Sequence, residues 1–336
     1  MKSSKPQMVK QNNLAYLTQL VKNNAPLSKR ELADLSKLSV VTINKLIPEL
    51  LEKKMIYPYS NEVVTGGRHA VSYRFNEQKN TFLVIKIVEN RNELSFFFYL
   101  CDLVGKIIKE EELPIADLSW EDFVEVIGEW KRDYPEINSI VLGIPGVEMN
   151  GIVKVVDHPM LQGKSVQEEL TEKFDCQVTL ENDVNAAVLG YAMREPKEKI
   201  ISGIYYPVEF PPGGGVSIYQ KILKGRNNFV GEVSVLPLEV DWSKENILKV
   251  DLTKHLLDMM EVFISLYDPH EVVVYGTDER INEEVIHEVG KKIVTKFPLI
   301  ELPTIHLSRY FKEDYLAGLI QIGLEETNRL LLNEFK

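Results

Sequence analysis

The stretch TLENDVNAAVLG, residues 179–190, ends an extended run in a small-residue helix, with Asn182 and Asp183 at the joint. A carboxylate there can serve as a general base, hold a ligand, or cap the helix that begins near Val184. An ionised carboxylate accepts hydroxyl hydrogen bonds, and Asn supplies both donor and acceptor, a combination suited to a polyol. Other reactive side chains point elsewhere. The 2 cysteines, Cys101 and Cys176, lie far apart without a CxxC or nearby CxxH partner, and read as buried free thiols in a reducing compartment. His158, His255 and His270 do not fall at metal-ligand spacings, so each reads as a surface or hydrogen-bonded histidine. No metal and no cofactor is expected.

A second set of residues could read a nucleic acid. Ser28 precedes KRELADLS with Glu31 three residues on, a capping-box spacing, and Leu32 and Leu35 form an apolar stripe. After the short turn KLS, Ser39 is placed to cap VVTINKLIPELLEKK, in which Val41, Ile43, Leu46, Ile47, Leu50 and Leu51 supply buried contacts. Two short helices across a three-residue turn make a helix-turn-helix. The second helix would then enter a major groove with its N-terminal part, presenting Ser39, Val40, Thr42, Asn44 and Lys45. Asn can pair with adenine, Lys can reach guanine or phosphate, and Thr or Val can pack on a thymine methyl. Pro48 should kink this helix. Downstream, MIYPYSNEVVTGGRHAVSYRFN reads as a hairpin wing whose tip carries Arg68 toward phosphate or the minor groove. Helical triplets also serve protein–protein contacts; the charge decides for DNA.

That charge is divided along the chain. The 336 residues carry a formal −11, yet residues 1–80 hold 13 Lys plus Arg against 6 Asp plus Glu, net +7, leaving −18 for the remainder. A basic module on an acidic body fits a DNA-binding domain joined to a part that does not touch DNA, because phosphate neutralisation drives such affinity. No apolar run approaches the ~18 residues that cross a bilayer, and the N-terminus lacks a signal-peptide core, so a cytoplasmic location without membrane contact is expected.

From residue 81 strands alternate with helices: TFLVIKIV and LSFFFYLCD pair, WEDFVEVIGEWKRD is an amphipathic helix, and NSIVLGIPG is a buried strand. The run Phe96 to Tyr99 belongs to strand core. IISGIYYPV, GGGVSIY and EVVVYGT supply a second lobe, with the helix TKHLLDMMEVFISLYD between the last two. A cleft between two such lobes is a natural small-molecule site.

The ordered motifs TGGR (65–68), GIPGVEMNGIV (143–153), ENDVNAA (181–187) and GRNNFVGEVSVLPL (225–238), behind a helix-turn-helix, resemble the ROK family of bacterial repressors and sugar kinases in its repressor branch. The resemblance implies an N-terminal α+β winged helix-turn-helix followed by a two-lobed α/β sugar-kinase-like body of the actin-like ATPase/ribonuclease H-like kind. The expected division is 1–80 for the DNA module, 81–184 plus 318–336 for the first lobe, and 185–317 for the second, with the dimerisation surface. In the family's enzymes an Asp of the END motif takes the proton of the sugar hydroxyl. Carried over, this makes Asp183 a former base, Asn182 a sugar contact, and Glu232 a second contact.

Departures from the kinase pattern imply lost catalysis. After the first strand the chain has KIVENRNE (86–93) in place of a glycine-rich phosphate turn, and Pro211 and Pro212 remove amide donors beside Gly213 to Gly215. That triple glycine reads equally as a flexible turn before VSIY. Val235 stands where the family places a zinc-binding His, no cysteine cluster follows, and Trp242 and Leu236 are expected to hold the segment by packing. The implied protein is a non-enzymatic repressor of carbohydrate-related genes, a homodimer or dimer of dimers on a double-stranded DNA operator, with Asn182, Asp183 and Glu232 holding a sugar or sugar-phosphate effector. Its competitors are a bifunctional sugar kinase and a regulator without a small-molecule effector.

Overall fold

The computed structural model describes residues 4–59, 71–90, 93–114, 118–155 and 160–335. The N-terminal part packs α1 (Ser4–Asn24), α2 (Lys29–Ser36) and α3 (Val40–Glu52) against a small sheet of β1 (Leu27–Ser28), β2 (Ile56–Tyr59) and β3 (Ser72–Phe75), in the order β1-β3-β2. Ser28 forms a reciprocal capping box with Glu31, and the Ser39 hydroxyl accepts from the Thr42 amide at 3.1 Å. These two caps fix where α2 and α3 begin. Arg68 and the rest of the TGGR motif lie outside the described residues.

Two apolar positions point away from the expected core. On α3 the buried side is Ile43, Leu46, Ile47 and Leu50, and at 100° per residue Val41 falls roughly 170° from its centre. Val41 is accordingly 65% exposed. Similarly, α2 buries Leu32 and Ala33, which leaves Leu35 45% exposed. Pro48 sits inside α3 without ending it, since buried side chains on both sides hold the helix in place.

The body has five layers. Its first sheet has the order β10-β7-β4-β5-β6, built from β4 (Thr81–Asn90), β5 (Glu93–Cys101), β6 (Ile107–Pro114), β7 (Ile137–Ile144) and β10 (Gln177–Asn182). Strands β4, β7 and β10 run parallel, so their C-terminal ends open on the same side. A hairpin, β8 (Val147–Met149) with β9 (Ile152–Val155), turns through Asn150 and Gly151 at φ 54° and 81°, the left-handed pair that a tight hairpin needs. The second sheet has the order β12-β11-β13-β14, from β11 (Ile200–Tyr206), β12 (Gly213–Ile218), β13 (Glu271–Gly276) and β14 (Thr304–Ser308).

Alternation along the strands sorts the core. Leu83, Ile85, Ile140 and Leu142 face α4 (Trp120–Asp133) and α5 (Val166–Phe174), while Phe82, Val84 and Val141 face the opposite way onto α6 (Asp183–Ala192) and α9 (Phe311–Asn333). From the second sheet, Val273 and Tyr275 reach the same two helices, and Val272 and Val274 face α7 (Leu252–Tyr267) and α8 (Glu283–Lys296). The pair α6 and α9 is thus the layer both sheets share.

These two helices meet at glycines. A Cβ on Gly318 would stand 1.8 Å from the Ala186 carbonyl oxygen, and one on Gly190 would stand 2.0 Å from that of Asp314. Asp314, buried on α9, accepts from the Tyr275 hydroxyl at 2.9 Å and pairs with Arg194. The far end of α9 leaves the body: Leu331 and Phe335 lie in one buried cluster with Leu14, Leu17, Leu32, Ile43 and Phe75. Lys22 donates to the Asn328 side chain at 2.9 Å, and Lys53 to the Glu334 carbonyl at 3.0 Å. Among the described residues no helix is long and apolar enough to cross a membrane.

Candidate functional site

A cleft of 760 Å³ opens where the strand ends of the two sheets face each other. The first sheet contributes Asn182 at the end of β10, followed by Asp183 at the start of α6, with Pro145 to Val147 beyond β7 and Ile87 and Val88 from β4. The second contributes Tyr205, the loop Pro207 to Pro212, and Thr277; Glu232, Ser234 and the start of α9 complete the lining. All three residues expected to contact a sugar therefore line one cavity.

Their local chemistry separates them. The Asn182 side-chain oxygen caps α6, accepting from the amides of Val184 at 2.9 Å and Asn185 at 3.1 Å, while its NH2 group donates to the Gly146 carbonyl at 3.1 Å. Asn182 thereby ties the start of α6 to the turn after β7. Asp183, in the first turn of α6, accepts from the Val184 amide at 2.8 Å and lines the cleft. Glu232 has no hydrogen bond or ion pair given to its carboxylate among the described residues, and burial pushes its carboxyl above the ordinary range. Glu181, the first residue of the END motif, is buried and spoken for: it pairs with Lys224 at 2.8 Å and accepts from the Asn182 amide at 3.1 Å.

The triple glycine is not a flexible turn. Gly213, Gly214 and Gly215 lie within β12, paired with Tyr205, Ile204 and Gly203 of β11. A Cβ at Gly213 would press on Val184 at 2.9 Å, one at Gly214 on Val233 at 2.9 Å, and one at Gly215 on Asn185 at 3.1 Å. The Gly214 amide donates to the Gly231 carbonyl at 2.7 Å. These glycines admit α6 and the segment around Glu232 against the sheet, so their amides serve the fold.

Sequence reasoning missed the aromatic side of the cleft. Tyr205 stacks on Phe311 with ring centroids 3.8 Å apart and planes 9° apart, and the Tyr315 hydroxyl donates to the Ile87 carbonyl at 3.3 Å. Phe210, Pro207 and Pro212 continue this lining. The signal was present in YYPVEFPP, an aromatic and proline run leaving a strand, but its partner Phe311 lies over a hundred residues away.

Packing holds the segment in which the resemblance implied a zinc-binding His at the position of Val235. Leu236 and Trp242 lie on the second-lobe core, and the Trp242 indole meets His255 edge-on at 5.0 Å. Arg280 adds a clamp, donating to the carbonyls of Leu248 at 3.0 Å and Val250 at 3.1 Å while chelating Asp278. His255 is not an ordinary satisfied histidine. It is buried, its Nδ1 bonds the Tyr206 hydroxyl at 2.8 Å, its Nε2 has no partner among the described residues, and burial pushes its pKa down to about 4. Among the described residues no three His, Cys, Asp or Glu side chains gather to hold a metal ion.

On the N-terminal module, Val40, Val41, Asn44 and Lys45 are exposed on α3, and Thr42 is half-buried with its hydroxyl 2.9 Å from that of Ser39. Lys29 of α2 donates to the Asn44 side chain at 3.0 Å, and Arg30 and Lys37 are exposed nearby in sequence.

Residues 95–244, which include the END motif, Glu232 and the loop Pro207 to Pro212, match the ROK family. The chain carries a ROK family domain. The chain is 24% identical over 242 residues to the DNA-binding transcriptional dual regulator NagC of Escherichia coli K12, covering 69% of this chain and 59% of that protein. It is 22% identical over 247 residues to the xylose repressor of Bacillus subtilis, covering 70% and 63%. The match thus spans less than two thirds of those relatives' own lengths. Among solved structures, a ROK family transcriptional regulator described as a homolog of the E. coli MLC protein aligns with TM-score 0.64 and 17% identity, covering 96% of this chain and 98% of that one. The ROK hexokinase of Thermus thermophilus aligns with TM-score 0.56 and 18% identity, covering 73% and 99%. The body accordingly has the sugar-kinase-like ROK fold, with regulators and kinases both among its likenesses.

Proposed function

We propose that this chain is a transcriptional repressor of carbohydrate-related genes, in which residues 1–80 form a winged helix-turn-helix and the two-lobed body binds a sugar effector without catalysing phosphoryl transfer. The observation that carries the reading is the course of α9, which has Phe311 in the cleft and Leu331 in the core of the basic module. Ligand closure that shifts the start of this helix would be delivered to the module at its other end. Such coupling requires the effector to bind one arrangement better than the other.

Ser39, Val40, Thr42, Asn44 and Lys45 are the base- and phosphate-reading candidates, with Arg68 on the wing, and the exposure of Val41 adds it as a thymine-methyl contact. A homodimer or dimer of dimers would present two such modules to a pseudo-palindromic operator. Asn182 orders the sugar side through its cap, and Asp183 and Glu232 accept the hydroxyls. Loss of catalysis is supported by the occupied glycines of β12 and by Pro207, Pro211 and Pro212, which supply no amide donors where a phosphate cradle would need them.

The test is operator selection from a random double-stranded library with the full chain, followed by fluorescence anisotropy on the selected site with and without a panel of sugars. A selected inverted repeat released by one sugar supports the reading. Failure to enrich any sequence would reject the DNA-binding role, and steady ADP production with sugar and ATP would reject the non-enzymatic one.

A further inference from the structure

The two halves of the cleft differ in chemistry. Along the sheet edge, Asn182 and Asp183 at β10 and Ile87 and Val88 at β4 are separated by the intervening β7, two strand spacings or about 10 Å. The polar lining is Asn182, Asp183, Glu232 and Ser234. The apolar lining is Ile87 and Val88, the stacked pair Tyr205 and Phe311, and Phe210 and Pro212 from the loop after β11. A single pyranose ring engaging Asp183 and Glu232 would leave much of the 760 Å³ cleft unfilled.

Charge adds a second constraint. Among the described lining residues three carboxylates, Asp183, Glu209 and Glu232, stand against one ammonium, that of Lys312. A phosphate brought into the cleft would add negative charge to a partly desolvated site in which carboxylates already outnumber ammonium groups. The amides that cradle phosphate in a nucleotide site are replaced here by proline or consumed within β12, where Gly214 donates to Gly231.

We propose that the effector is an unphosphorylated glycoside, its sugar ring on Asp183 and Glu232 and its apolar, preferably aromatic, aglycone on the Tyr205–Phe311 face. The platform is built from Tyr205 near the end of β11 and Phe311 at the start of α9. It also places the aglycone against Phe311, the first residue of the helix that ends in the DNA module. Aromatic faces gain from offset stacking and from burial of apolar area, and an aromatic aglycone adds both beyond what the sugar ring supplies.

This inference rests on the body being a carbohydrate-binding domain, and the experiment separates the two. Isothermal titration of the full chain is run with free hexoses, pentoses and N-acetylhexosamines, with phosphate monoesters of the same sugars, and with their phenyl glycosides. For the best-bound sugar, the phenyl glycoside should bind at least tenfold more tightly than the free sugar, and the phosphate at least tenfold more weakly. Phe210→Ala, in a half-buried loop position, should remove most of the glycoside advantage while leaving the free-sugar affinity unchanged; Phe311→Leu, which keeps the buried volume, should do the same. Equal affinity for glycoside and free sugar, or a phosphate that binds as tightly as the free sugar, overturns the glycoside assignment and leaves the carbohydrate-binding reading standing. A glycoside advantage untouched by both substitutions overturns the platform, and no binding of any carbohydrate overturns both readings.

Discussion

Phe311 and Leu331 belong to the same helix, yet the first stacks on Tyr205 in the cleft and the second is buried among Leu14, Leu17 and Ile43 of the N-terminal module. Twenty residues of helix separate them by about 30 Å, so α9 is long enough to connect the two sites without a joint. Leu331→Ala should cost about 2–5 kcal/mol in the packing of the module, through lost burial and the cavity left behind. If α9 carries the effector signal, the variant should still bind sugar by titration, while its anisotropy signal on the operator no longer responds to that sugar.

The crossing of α6 and α9 makes a sharper packing prediction. Gly318→Ala would drive a Cβ into the Ala186 carbonyl, a backbone atom that cannot rotate away, and should destabilise by about 1–3 kcal/mol or more. Gly290 is the control, because it lies inside α8 with no heavy atom within 4 Å of an added Cβ. Gly290→Ala should stabilise by up to about 1 kcal/mol through helix propensity alone. Urea denaturation of both variants checks the pair; equal effects would mean that the helices are not in close contact.

Local signals explain why part of this was readable from sequence. The capping box of Ser28 and Glu31 and the cap at Ser39 involve residues three apart, so their spacing alone locates the starts of α2 and α3. Apolar periodicity was less decisive: Val41 matched a helix pattern but lies opposite the Ile43 face, since a stripe of apolar residues does not say which edge touches its neighbour. Gly213 to Gly215 looked like loop material because the segments that exclude side chains there, around Val184 and Val233, are distant in sequence. The stack of Tyr205 on Phe311 and the docking of Leu331 on the N-terminal core likewise depend on long-range pairing that no local pattern encodes.

His255 gives stability a dependence on pH. Its folded pKa, near 4, lies below the ordinary 6.5, so between those values the unfolded chain binds the proton and the folded one does not. Stability from this group is therefore fully present above pH 6.5 and falls as the pH is lowered, by about 3 kcal/mol at pH 4. His255→Gln keeps a side chain able to bond Tyr206 but cannot titrate. Denaturation midpoints measured from pH 7.5 to 4 should fall less steeply in the variant; parallel curves would show that His255 is protonated without cost.

The exposed side of α3 predicts a division of labour on DNA. Lys45→Ala should weaken binding to all sequences alike and lower the salt-dependence slope by about one, as expected when one phosphate contact is lost. Asn44→Ala should leave that slope unchanged and cost about 1–3 kcal/mol at a single base position. Operator affinities over a range of salt, with a set of single-base operator variants, distinguish the two. Identical behaviour would remove the base-reading assignment of Asn44.

At the cleft, Asn182 and Asp183 are adjacent in sequence and should fail in different ways. Asn182→Ala removes the cap from the Val184 and Asn185 amides and the tie to Gly146, so it should lower stability by about 1 kcal/mol and weaken sugar binding indirectly. Asn182→Ser restores a capping oxygen without the NH2 donor, and should recover most of the stability. Asp183→Asn is nearly isosteric and retains an acceptor for the Val184 amide, but it removes the charge proposed to hold sugar hydroxyls. It should melt close to the parent chain, bind operator normally and lose effector release. Thermal melts, sugar titration and operator anisotropy on the three variants decide the matter: if Asp183→Asn releases operator as the parent does, Asp183 serves only the first turn of α6.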